Sequence, residues 1–300
     1  VNSLKLPPSA AHPEINMLDI AALAGAFPRV PEQLPPMNSR ILAPSAALRP
    51  FVQHFLIVEY TAGWSTTLLP GTSLVAAFRF RGECRINDAK APNALVTGIW
   101  NRTRTLIHGG RCANVLVMFT PTGAASFLRE PVERLFNGTL AMEHEARRSE
   151  LDLVEEQLFE ASADAKRVQV VEHFLRKRLR ERLTDDVVAE AVARIRRSRG
   201  SLRVDVLARE AGLSQSALER RFRRVVGTSP KKFAGLVRLR NVVRMRRDGS
   251  TFTEIAHAAG YADQSHFIKE YTCLAGCFSL EWLRTRQRWR RHCVRAGLTW

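Results

Sequence analysis

The chain has 300 residues, 45 % of them hydrophobic, and a formal net charge of +17. That length accommodates about two domains, each with its own core. No apolar run of about 18 residues and no charged stretch leading into an apolar one occurs, which argues against a helical membrane span and a secretory leader and predicts a cytoplasmic protein. The charge is uneven: residues 184–300 hold 24 Lys and Arg against 11 Asp and Glu, and residues 1–183 hold 22 against 18. A basic C-terminal third attracts polyanions; the plainer alternative is a solvated arginine-rich surface.

In chain order, residues 1–37 carry Pro7-Pro8, Pro28, Pro31 and Pro35-Pro36 and read as a loosely ordered leader. From 38 to 125, apolar and β-branched runs recur at 55–60, 66–69, 74–80, 94–98, 103–107 and 115–119. Turn signals such as Pro70-Gly71, Asn87-Asp88 and Gly109-Gly110 separate them. Short strands at that spacing predict a small β-barrel or sandwich, and Leu48 to Val52 reads as a short helix before it. His54 and His108 stand alone with no His-x-His, so no metal site and no cofactor is expected. The five cysteines, Cys84, Cys112, Cys273, Cys277 and Cys293, include no C-x-x-C pair and read as idle thiols.

Residues 122–183 turn helical. Leu151, Val154, Leu158 and Phe159 recur at helical spacing, as do Val171, Phe174, Leu175 and Leu179. The two amphipathic helices cover the β-domain, or alternatively form a seam with a second copy. The run 176–182, mostly basic, reads as a solvated face.

Beyond residue 184 a pattern occurs twice. A first helix holds Val188, Ala191, Val192 and Ile195. Leu207-Ala208 then leads to Gly212, Ser214, Leu218, Phe222 and Gly227, and Ile255-Ala256 leads to Gly260, Asp263, Phe267, Tyr271 and Gly276. The second copy has one extra residue in its turn. Each Gly suits the left-handed end of a helix. Ser214 and Asp263 suit the N-cap of the next, whose apolar residues four apart mark one buried face. Between the copies, Ser229-Pro230 opens a long helix to about Arg247, expected to fix the spacing of the two modules. Paired helices on so tight a turn are a means of offering a helix to the DNA major groove.

These residues resemble the DNA-binding domain of the AraC/XylS family of bacterial transcription regulators. Leu207 to Pro230 follows its "LA..AGLS...L.R.F....G.SP" pattern, and Ile255 to Tyr271 its "IA...GY.D.SHF...Y" pattern. Phe278-Ser279 stands where the second module of the family usually has Ser-Pro, and Lys269 where an Arg is commoner. The segment 48–128 resembles a cupin-like N-terminal domain from one branch of the same family, with Pro70-Gly71-Thr72 in place of its "PDG". The expected fold is α+β: residues 38–183 form a β-barrel with C-terminal helices, 184–290 a domain of two helix-turn-helix modules, and 291–300 a basic tail.

On the first recognition helix the residues away from the buried face are Gln215, Ser216, Glu219, Arg220 and Arg223. The resemblance makes Ser216, Glu219 and Arg220 the base-reading set. Arg reads guanine, Glu cytosine and Gln adenine. Arg220 is the leading reader, with a phosphate clamp or a pair with Glu219 as its alternatives. Arg221, Arg223 and Arg224 are read as phosphate contacts. The matching set on the second helix is Gln264, Ser265, Ile268 and Lys269, where Ile268 either meets a thymine methyl or packs on the neighbouring helix. His266 reads as a turn or packing residue.

The function expected is a sequence-specific regulator, an activator by family habit. Its expected partners are double-stranded DNA, RNA polymerase, a second copy through the N-terminal half and an effector whose identity is open. No G-x-S-x-G elbow, P-loop or G-x-G-x-x-G is present, so no enzyme is expected. Two alternatives remain. One is a DNA-targeted repair enzyme using Cys84 or Cys112, neither of which lies in a Pro-Cys-His context. The other is an architectural protein without sequence preference.

Overall fold

The computed structural model describes residues 37–180, 185–245, 252–261 and 263–275. The closing helix, the basic tail and Asp248-Gly249 lie outside them, as does the expected leader at 1–37 except for Met37, which opens a strand instead. Ten strands are described: β1 (Met37–Leu42), β2 (Val52–Tyr60), β3 (Trp64–Leu68), β4 (Val75–Arg81), β5 (Cys84–Ile86), β6 (Ala89–Lys90), β7 (Ala94–Thr97), β8 (Arg104–His108), β9 (Cys112–Phe119) and β10 (Thr139–Ala141). They form two antiparallel sheets, β1-β2-β9-β4-β7-β10 and β3-β8-β5-β6. The described strands pair as two separate ladders rather than one closed barrel.

The central strands of the six-stranded sheet, β2, β9, β4 and β7, are largely buried, as their apolar runs require. On one face Phe55, Ile57, Phe78, Val115, Val117 and Phe119 belong to the main core. On the opposite face Leu95 and Cys112 meet Cys84 of the smaller sheet, with Ile86 and Leu106 against them. The period of two in these strands thus divides the side chains between two interiors.

Helices α1 (Arg148–Glu160) and α2 (Asp164–Arg176) cover the first face. Leu151, Val154 and Leu158 of α1, and Val171, Phe174 and Leu175 of α2, are buried there. Phe174 meets Phe78 edge-on at 5.2 Å. The charged run that follows is more than a solvated face. Arg178 stacks on the Phe174 ring at 3.6 Å and donates to Glu150 at 2.8 Å. The Arg180 amide donates to the Ser126 carbonyl at 2.9 Å. The reason is the snorkelling length of arginine, which lets a cationic side chain cover an apolar surface. The segment at Leu48 also differs from its expectation: it is a hydrogen-bonded turn, and Val52 already opens β2.

The remaining helices are α3 (Asp186–Arg197), α4 (Val204–Glu210), α5 (Gln215–Val226), α6 (Pro230–Met245), α7 (Phe252–Ala258) and α8 (Gln264–Ala275). The main apolar cluster runs on from the β-domain into α3, α4, α5 and the first half of α6. A separate cluster, with Leu239, Val242, Ala256, Phe267 and Tyr271, holds α7 and α8 against the second half of α6, and Leu69 of the β-domain touches it. Arg240 on α6 also donates to the Thr72 hydroxyl at 3.1 Å.

Candidate nucleic-acid interface

Each module is built by the local rules its residues obey. In the first, α4 ends and Gly212 takes φ +67, reversing the chain. The Ser214 hydroxyl then accepts the Ala217 amide at 3.2 Å and starts α5. In the second, Gly260 takes φ +78 and the Asp263 carboxylate accepts the His266 amide at 2.7 Å to start α8. Leu218 and Phe222 are fully buried, with Phe222 edge-on to Phe233 of α6 at 5.6 Å. Phe267 and Tyr271 hold the same places in α8, with ring centres 5.6 Å apart.

That packing turns the opposite faces outward. On α5, Gln215, Ser216, Arg220, Arg223 and Arg224 are exposed. Glu219 is half-covered because Gln215 donates to it at 3.1 Å and Arg223 at 2.9 Å. Arg220 is therefore not the partner of Glu219. Neither Arg220 nor Arg224 makes a side-chain hydrogen bond or ion pair among the described residues, so each carries a charge free to meet an anion.

Arg221 is placed differently from its neighbours. Its guanidinium grips Asp185 through two bonds, of 2.6 and 2.8 Å. Asp185 also caps α3 by accepting the Val188 amide at 3.1 Å. Burial pushes the Asp185 carboxyl up, but Arg221 and the Val188 amide outweigh it and hold the group below the usual carboxylate range. Arg221, expected as a phosphate contact, is thus occupied in joining α5 to α3.

On α8, Ser265 and Lys269 are exposed, and so is His266, which meets the Tyr261 ring edge-on at 5.5 Å. Gln264 begins the helix. Ile268 is half-buried against the second module's apolar cluster, so of its two expected roles it takes the packing one. Glu270, two residues on, turns back to Arg238 on α6 at 2.8 Å. Neither Arg238 nor Glu270 stands out in the sequence, since no local pattern links positions 32 apart. Among the described residues there is no cluster of three metal-ligating side chains, and no helix is long and apolar enough to cross a membrane.

Residues 207–285 match a family described as a helix-turn-helix domain, and residues 40–141 one described as a domain of unknown function. No curated protein matches the chain. Among solved structures, ToxT from Vibrio cholerae is 11 % identical with a TM-score of 0.43, over 77 % of this chain and 97 % of that one. ToxT with a bound unsaturated fatty acid is 11 % identical with a TM-score of 0.39, over 76 % and 94 %. A cupin superfamily protein from Desulfitobacterium hafniense is 18 % identical with a TM-score of 0.22, over 40 % and 98 %. Residues 207–285 are a helix-turn-helix domain, and that domain supports a DNA-binding transcription regulator.

Proposed function

We propose that the chain recognises a specific DNA sequence by placing α5 and α8 in two successive major-groove segments. Those segments lie about 34 Å apart, one helical turn of the duplex. The observation that carries the reading is the repeated geometry: two capped helices, each buried along one side and each offering polar and cationic side chains on the other. In this reading Arg220 reads a base, Ser216 and Glu219 flank it, and Arg223 and Arg224 engage phosphates. Gln264, Ser265 and Lys269 form the second set, with Ile268 beside them. Residues 184–290 act as the DNA-binding unit, and residues 38–183 as the unit through which dimerisation or an effector would act. The protein works in the cytoplasm, without catalysis of its own, as an activator that acts with RNA polymerase.

Selection of bound sequences from random duplex DNA with the full chain, at fixed salt, tests this. A motif spanning two major-groove segments is expected. Strongly salt-dependent binding with no enriched motif would reduce the protein to an architectural one.

A further inference from the structure

Arg238 sits where the helix between the modules meets parts of both. Its Nη1 donates to the Gly200 carbonyl at 2.6 Å, just beyond α3, the helix that supports the first module. Its Nη2 donates to both carboxylate oxygens of Glu270, at 2.8 and 3.0 Å, in the middle of α8. The guanidinium carbon lies 5.4 Å from the centre of the Tyr261 ring, in the turn of the second module. The side chains of Arg238 and Glu270 are only 18 % and 20 % exposed. A forked, planar donor shielded from water fixes direction as well as distance, which a surface lysine pair does not.

A second observation comes from Gly235, one turn earlier on α6. A Cβ there would lie 2.5 Å from the Glu270 Oε1. Glycine inside a helix is disfavoured relative to alanine. The residue that lowers helix propensity here is thus the one that leaves room for the carboxylate of the opposite helix.

We propose that Arg238 is a positioning residue which, through Glu270 and Gly200, sets the separation and phase of α5 and α8, and so fixes the spacing between the two DNA segments the chain accepts. This rests on the two-segment reading above. One added base pair moves the second segment by about 3.4 Å along the duplex and also rotates it about the axis. A locked pair of helices would not follow that displacement, whereas a loosened pair would.

The test uses the full chain and three duplexes derived from the selected motif: the native site, the site with one base pair inserted between the segments, and the first segment alone. The wild type is expected to prefer the native over the expanded site by about tenfold or more, the scale of one mismatched position. Arg238→Met is expected to bind the first segment as the wild type does, to lose about tenfold on the native site, and to bind native and expanded sites alike. Arg238→Lys, which keeps the charge but not the fork, should retain part of the preference. The proposal is overturned if Arg238→Met keeps the wild-type spacing preference, or weakens all three duplexes by one factor. If Arg238→Met fails to fold, Glu270→Gln takes its place, with the same expected and overturning results. A wild type that binds the first segment as tightly as the native site would instead overturn the two-segment reading, and this proposal with it.

Discussion

Asp185 and Arg221 are joined by two hydrogen bonds across 36 positions of sequence, and the same carboxylate caps α3. The pair fixes how the supporting helix meets the recognition helix. Arg221→Ala should therefore behave as a structural variant. Its DNA affinity falls, while the slope of log affinity against log salt stays at the wild-type value. Arg224→Ala, which removes an exposed and unpaired cation, should reduce the magnitude of that slope by about 1. Titrations at four or five salt concentrations separate the two; equal slope changes would place Arg221 on a phosphate. Asp185→Ala should cost about 1 kcal/mol from the lost cap alone, read as a shift in the denaturant midpoint.

Arg220 offers the more selective test. Glu219 is taken by Gln215 and Arg223, which leaves the Arg220 fork free on the exposed face. A bidentate contact to guanine discriminates by about 1–3 kcal/mol. Arg220→Ala should therefore relax one position of the selected motif and leave the others sharp. A uniform loss across all sequences would make Arg220 a backbone contact instead.

The helix-turn-helix pair is legible in the sequence because its determinants are local. A glycine with positive φ, a hydroxyl or carboxylate cap and apolar residues four apart are all set within about a dozen residues. Gly212, Ser214, Leu218 and Phe222 take the places expected of them. What the sequence hides is non-local. Arg221 looks the same as Arg223 and Arg224 in sequence, and only the fold brings Asp185 to it. Arg178 lies in a run whose charge suggests solvent, yet the Phe174 ring and Glu150 receive it. The strands without a clear sequence signal, β1, β5, β6 and β10, lie at the edges of the sheets or next to them, and three of them span only two or three residues. Runs that short carry little periodicity.

His108 gives the β-domain a pH dependence of definite sign. It is 4 % exposed, and its ring stacks on Tyr60 with centres 3.8 Å apart. Burial, aided by the Arg79 charge, pushes its pKa down from 6.5 to about 4. The unfolded chain then binds more protons than the folded one between those two values. The contribution of His108 is fully present above about pH 6.5, declines as pH falls towards 4, and does so by at most about 1.4 kcal/mol per pH unit. His108→Phe preserves an aromatic stack and removes the titration. Denaturant midpoints between pH 4 and 7.5 should fall less steeply with acid in the variant. Parallel curves for the two proteins would show that His108 does not titrate in this window.

Gly227 couples the recognition helix to the β-domain, and its substitution should show how firmly. It ends α5 with φ +84, and a Cβ on it would lie 2.8 Å from the carbonyl oxygen of Val132 in the 3-10 turn Val132–Leu135. At Gly212, φ is +67 but a Cβ would have nothing within 4 Å. Both substitutions to alanine incur the left-handed backbone strain of about 1 kcal/mol. Only Gly227→Ala must also displace a backbone oxygen of the opposite unit, because a peptide cannot swing aside as a flexible side chain can. Gly227→Ala should therefore lower stability by about 2–3 kcal/mol and Gly212→Ala by about 1. The extra loss should coincide with faster limited proteolysis of the native protein. Equal losses for the two variants, with unchanged cleavage, would mean that the contact at Val132 yields without cost.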